Sequence, residues 1–158
     1  GKHPDDENTP LLGVTMGATP SDGVKVDYNL EDIGGPSAGL MFALAVVDKL
    51  SPGELNGGKF VAGTGTIDDS GKVGAIGGIK YKIIASGRHG AHYFLAPREN
   101  CGDLQEIRRT DPDVFKYYRG ETPAGDMQVI PVDNVDEAVD ALTKIKNGAA
   151  PDQFPTCG

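Results

Sequence analysis

GGPSAGLMFALAVV, residues 34–47, sets a serine between a proline and an alanine, with glycines on both sides, at the mouth of an apolar run. From Pro36 to Leu50 most positions are apolar (Leu40, Met41, Phe42, Leu44, Val46, Val47 and Leu50), which predicts a helix buried on most sides. Pro36 suits the first helical position, where its missing N–H has no intrahelical partner. Ser37 then falls in the first turn, and Ser51-Pro52-Gly53 ends the helix. Free backbone N–H groups and the positive end of the helix dipole converge there and would stabilise a developing oxyanion. The plain alternative is a capping serine among glycines that permit close packing, and this stretch alone favours it.

The 158 residues suit one domain with its own core. Fifteen basic against 23 acidic side chains give a net charge of −8, and no window clusters Lys and Arg, which argues against nucleic acid as a partner. The apolar run at 40–47 is far shorter than the roughly 20 residues of a membrane span, and the N-terminal GKHPDDENTP has no signal-peptide pattern. Starting with neither Met nor a targeting signal, the chain is expected to be a piece of a longer protein. Cys101 lies in a loop-like ENCG and Cys157 in the tail FPTCG. A bridge between them would pin a loose Pro-rich tail and imply an oxidising compartment; two unrelated thiols are the alternative.

Residues 1–10, polar with two prolines, read as a disordered lead-in. LLGVTMGA (11–18) and VKVDYNL (24–30) predict two strands around the turn-formers TPSDG. KFVAGTGTI (59–67) and VGAIGG (73–78) predict a strand pair reversing at Asp69-Ser70-Gly71, followed by a helix over 79–88. AHYFLAP (91–97) reads as an inward strand, CGDLQEIRR (101–109) as a short helix, and MQVIPV (127–132) as a strand. A last helix carries Val135, Ala138, Leu142 and Ile145 at helical spacing behind an Asp133 or Asn134 cap. DPDVFKYYRGETPAGD (111–126) reads as a surface excursion. The pattern predicts an α+β domain over 13–147, with residues 1–12 as linker and 148–158 as tail.

Gly35-Pro36-Ser37-Ala38-Gly39 matches G-x-S-x-G, the nucleophile elbow, but that motif needs a buried strand before the serine, where EDIGG stands here, and a histidine later in the chain. The later histidines, His89 and His92, lie together at a helix end and a strand start and read as surface or packing residues. Without a histidine the base must be a lysine able to become neutral. Lys80 and Lys82, in GGIKYKIIAS, both qualify. Helical projection sets Lys80 nearer the Ile79, Ile83 and Ile84 face than Lys82 and does not decide between them.

Taken in order, GGPSAG, AGTGTI, a Gly-centred hairpin, VGAIGGIKYKIIAS and HYFLAPRENCGDLQEI resemble the proteolytic domain of Lon proteases, peptidase family S16, over about residues 25 to 146. The resemblance implies the family's fold, a ribosomal protein S5 domain 2-like α+β domain of mixed sheets with packed helices. It implies a Ser-Lys dyad in which Ser37, flanked by Gly35, Pro36 and Ala38, is the nucleophile and Lys82 the general base. Lys80 would occupy a position the family fills variably and remains the alternative base. Thr64, in AGTGTI, would lie near the lysine amine and could hold it; the alternative is an ordinary strand threonine.

The chain departs from an ATP-dependent Lon at Gly34, where an acidic residue is typical, and in VKVDYNLEDI, which lacks histidines often found there. It also has no G-x-x-x-x-G-K-[ST], so no ATPase lies within these residues. The stretch 40–80 and the cysteine tail are more similar to bacterial proteins in which a Lon-type domain follows a PDZ domain and a membrane anchor. That likeness implies an extracytoplasmic place, with membrane attachment only through an N-terminal anchor missing from the chain. The resulting expectation is an ATP-independent serine endopeptidase acting on proteins or peptides without cofactor or metal, in a possible hexameric ring. The alternatives are a catalytically silent scaffold domain of the same fold, and a phosphate-binding module on the glycine loops, which the scarcity of nearby basic residues disfavours.

Overall fold

The structure, a computed structural model, describes residues 35–158 and the two short strands β1 (Lys2–His3) and β2 (Asp6–Pro10). The strands expected over 11–18 and 24–30 and the departure at Gly34 lie outside the described residues. Where composition predicts a disordered lead-in, β1 and β2 pair as a short antiparallel ribbon.

The centre of the described part is a parallel sheet of β3 (Val61–Gly63), β6 (Tyr93–Pro97) and β9 (Gln128–Val132), with β6 in the middle. Strand alternation divides the core in two. From β6, Leu95 faces one cluster and Phe94 and Ala96 the other. The first cluster is filled by Leu40 and Leu44 of α1 (Gly39–Leu50), by Ala138, Ala141, Leu142 and Ile145 of α4 (Val135–Lys146), and by Phe154. The second is filled by Ile79 and Ile83 of α2 (Ile79–Arg88) and Leu104 of α3 (Cys101–Thr110). Helices on both faces explain why Phe94 through Pro97 are all buried, a continuous apolar run without the polar alternation of a half-exposed strand. Separate small antiparallel pairs accompany the parallel sheet, so that no described sheet mixes the two directions: β4 (Thr66–Ile67) with β5 (Val73–Gly74), and β7 (Lys116–Arg119) with β8 (Thr122–Asp126).

The α4 start is capped by Asn134, whose Oδ1 accepts the Glu137 N–H at 2.8 Å, so Asn134 and not Asp133 is the cap. Elsewhere the structure departs from expectation. The apolar run at 36–50 begins as a 3-10 turn, Pro36–Ala38, before α1. In α1 only Leu40 and Leu44 are buried, while Leu50 is 57% exposed, because the helix packs on α4 and β4 along one side. Residues 59–67 are two strands, since the chain bends at Thr64-Gly65 to leave the parallel sheet for the β4–β5 hairpin. The excursion at 111–126 is only partly superficial. Val114 and Phe115 are buried in the second cluster, with the Arg108 guanidinium 4.3 Å over the Phe115 ring, whereas β8 is exposed throughout. The tail is held by the Cys101–Cys157 disulfide, Cα atoms 5.2 Å apart, and also by buried Phe154.

Candidate active site

Ser37 occupies the middle of the 3-10 turn, entered through Gly35 at φ +104°, a conformation side chains other than glycine rarely adopt. Its carbonyl accepts two hydrogen bonds, from the Gly65 N–H and from the Thr64 hydroxyl, each 2.9 Å. In return Leu40 N–H donates to the Gly65 carbonyl at 3.0 Å. Such lacing requires two segments to approach closely, and the glycines allow it. A Cβ on Gly39 would lie 3.1 Å from Ile67 N, and one on Gly65 would lie 2.7 Å from Val73 Cγ1.

These bonds narrow the expected set of oxyanion donors. The Ala38 N–H points to the Gly35 carbonyl at 3.5 Å, the Gly39 N–H is taken by Pro36, and the Leu40 N–H by Gly65. Pro36 has no N–H. Within this turn the Ser37 N–H alone has no partner among the described residues.

The Ser37 Oγ accepts from Lys82 Nζ at 3.4 Å, across 45 residues of sequence. Lys82 lies in the first turn of α2, half-buried, with no acidic partner among the described residues. Lys80 instead sends Nζ to Asp111 Oδ2 at 3.1 Å. Two residues along a helix are roughly 200° apart, so only one of these lysines can face the serine. Thr64, 2% exposed, is spent on the Ser37 carbonyl and not on the lysine amine, so it braces the Ser37 backbone. Both histidines are exposed, His92 resting on Tyr117 with ring centroids 4.3 Å apart.

The segment between β5 and α2, residues 75–78, is held by side chains that sequence reasoning did not single out. Glu99 Oε2 accepts the Ala75 N–H at 3.1 Å, and the Asn100 amide both accepts from Ile76 N (3.0 Å) and donates to Ile76 O (2.9 Å). An asparagine directly before a helix reads as a cap, which hides this role; here it makes no cap bond. The Glu99 carboxyl is held below the usual carboxylate range by its hydrogen bond from Lys72, 3.0 Å away, and by that from Ala75.

Residues 12–144 match the model of the Lon protease (S16) C-terminal proteolytic domain. The chain belongs to this family. It is 37% identical to the Lon protease of Citrifermentans bemidjiense over 113 residues, 72% of the chain and 12% of that protein. Against the Lon proteases of Vibrio parahaemolyticus and Azospirillum brasilense it is 36% identical over 126 residues, 80% of the chain and 13% and 12% of those proteins. The chain thus spans only a small fraction of the length of the curated Lon proteases it matches. The Lon domain match covers α1, α2, β3 to β9 and most of α4, and so includes Ser37, Thr64, Lys82 and Asn100.

Proposed function

We propose that the chain is an ATP-independent serine endopeptidase. The observation that carries this reading is the 3.4 Å approach of Lys82 Nζ to Ser37 Oγ in a domain of the Lon proteolytic family. Ser37 Oγ attacks the scissile carbonyl while its proton passes to the neutral Lys82 amine. The carbonyl oxygen takes up the negative charge beside the Ser37 N–H, the donor its own turn leaves unused. Lys82 then returns the proton to the leaving amine as the C–N bond breaks, leaving an acyl-enzyme. Water attacks that ester as Lys82 accepts its proton; the C–Oγ bond then breaks, Lys82 returns the proton to Ser37 Oγ, and the peptide acid departs.

The substrates are proteins or peptides, the assembly is a homo-oligomer, a hexameric ring by family resemblance, and the place of action is extracytoplasmic, behind an upstream PDZ domain and anchor. Membership of the Lon family supports the substrate class and self-assembly; the Cys101–Cys157 bridge supports an oxidising compartment. The test is cleavage of an unfolded protein and a fluorogenic peptide library without ATP by wild type, Ser37→Ala, Lys80→Ala and Lys82→Ala, each checked for folding. Cutting that is lost about a thousandfold in Ser37→Ala and Lys82→Ala but kept in Lys80→Ala supports the dyad. Loss only in Lys80→Ala moves the base to Lys80. A folded wild type that stays inert, also when joined to its upstream domain, leaves an interaction domain on a Lon fold.

A further inference from the structure

We propose that Asn100 is the positioning residue that holds Lys82 against Ser37, an inference that rests on the dyad reading above. Asn100 is 4% exposed, and its amide is fully engaged: Oδ1 by Ile76 N–H, Nδ2 by Ile76 O and by Asp103 Oδ2 at 2.9 Å. The paired bonds to one residue's N–H and C=O are what a neighbouring strand would supply, and here a single side chain supplies them. A buried residue at a helix-cap position that bonds across 24 residues of sequence has a task other than capping.

That task follows from what comes next. Beyond Ile76 stand Gly77, with open space around its missing Cβ, and Gly78 at φ +67°, and α2 starts without a side-chain cap. Two glycines give this short connection no stiffness of their own, so its course is set by what holds Ile76 at its start. Ile79 and Ile83 bury the inner face of α2, but apolar contact is non-directional and resists sliding or turning weakly. Asn100 gives directional bonds at Ile76, three residues before the first residue of α2. The Lys82 N–H returns to the Gly78 carbonyl at 3.4 Å, so the lysine belongs to the turn that this anchor starts. With no carboxylate among the described residues to steer it, the Lys82 amine stands where the backbone puts it.

The experiment measures kcat, KM and amide hydrogen exchange over residues 75–82 for wild type, Asn100→Ala, Asn100→Asp, Lys82→Ala and the Asn100→Ala/Lys82→Ala double variant. Displacing a reacting group by an ångström costs on the order of a hundredfold. Asn100→Ala is expected to lower kcat about 10- to 100-fold with KM within about threefold, and to speed exchange at 76–82 but not in β6. The double variant is expected to fall short of the product of the two losses, because both remove the same proton acceptor. Asn100→Asp keeps the acceptor for Ile76 N–H and is expected to fall between wild type and Asn100→Ala, which serves if the alanine variant does not fold. Wild-type kcat in either folded variant, or losses that multiply in the double variant, overturns the proposal. Should wild type cut nothing, the dyad reading fails separately, and unchanged exchange at 76–82 in the folded variants then overturns the Asn100 anchor.

Discussion

The two halves of the site are secured by different means. Ser37 is fixed largely by main chain: its carbonyl is gripped by Gly65 N–H with the Thr64 hydroxyl, and close glycine packing seats the turn against β4. Lys82 is fixed from a distance, through a glycine-rich connection whose hold comes from the Glu99 and Asn100 side chains. Main-chain lacing survives most substitutions and fails at glycines; side-chain bracing fails wherever the bracing residue changes. Ser37 is therefore sensitive to added bulk and Lys82 to lost hydrogen bonds.

The strongest challenge to this contrast is reduction of the disulfide, because Cys101 follows Asn100 directly and ties α3 to the tail. The bridge spans 56 residues, and opening a loop of that length is expected to cost about 4 kcal/mol on the chain-entropy model. Denaturant unfolding with and without reductant, beside Cys157→Ser, measures it. An unchanged midpoint would mean that Phe154 and its neighbours hold the tail unaided.

Gly65→Ala tests the main-chain half. Its new methyl would stand 2.7 Å from Val73 Cγ1 and 3.3 Å from Leu40 Cβ, both within the buried first cluster. Overpacking of this kind costs about 1–3 kcal/mol, and a variant with wild-type stability and cleavage would show that the turn is free to shift. Thr64→Val is milder. It keeps the shape but removes one of two donors to the Ser37 carbonyl, so a loss of about 1 kcal/mol is expected, with kcat falling less than in Asn100→Ala. A larger fall in kcat than Asn100→Ala would reverse the ranking of the two halves.

The smallest effect concerns acid. The Glu99 carboxyl, 45% exposed, is held below its ordinary value of 4.5 by Lys72 first and by the Ala75 N–H next. Its folded pKa lies below the unfolded one, so its contribution is complete above the unfolded value and lost as pH falls from about 4.5 through the folded value. Amide exchange at Ala75, corrected for the intrinsic pH dependence of exchange, is expected to show lost protection over that range in wild type. Glu99→Gln should lack the transition; the same transition in that variant would assign it to another carboxylate.

How much of this was legible depended on how locally it was encoded. The span of α2, a cap at Asp133 or Asn134 and the strand within 91–97 follow from periodicity and cap chemistry within a dozen residues, and the structure places them at Ile79–Arg88, Asn134 and Tyr93–Pro97. The bend at Thr64-Gly65 does not, because nothing in AGTGTI says that the chain changes sheets there. Phe115 looked superficial because its neighbours are polar, and its burial depends on α3 being packed above it. At the site, the resemblance to the Lon proteolytic domain pointed to Ser37 and Lys82, which the structure brings within 3.4 Å, whereas the residues read alone left Lys80 and Lys82 open, with helical projection a weak vote for Lys80. The Thr64 contact and the Asn100 anchor were hidden because each joins segments more than twenty residues apart.

The division of the core carries one more consequence. Ser37 leads into α1, which packs on one face of the parallel sheet, and Lys82 rides on α2, which packs on the other. Their contact therefore acts as a caliper closed around the sheet, reading how the two helical layers are set against each other. Close-packed layers transmit small displacements. A shear of one layer by an ångström, from a subunit or a neighbouring domain, would open the caliper and part the Lys82 amine from the Ser37 hydroxyl without touching either residue.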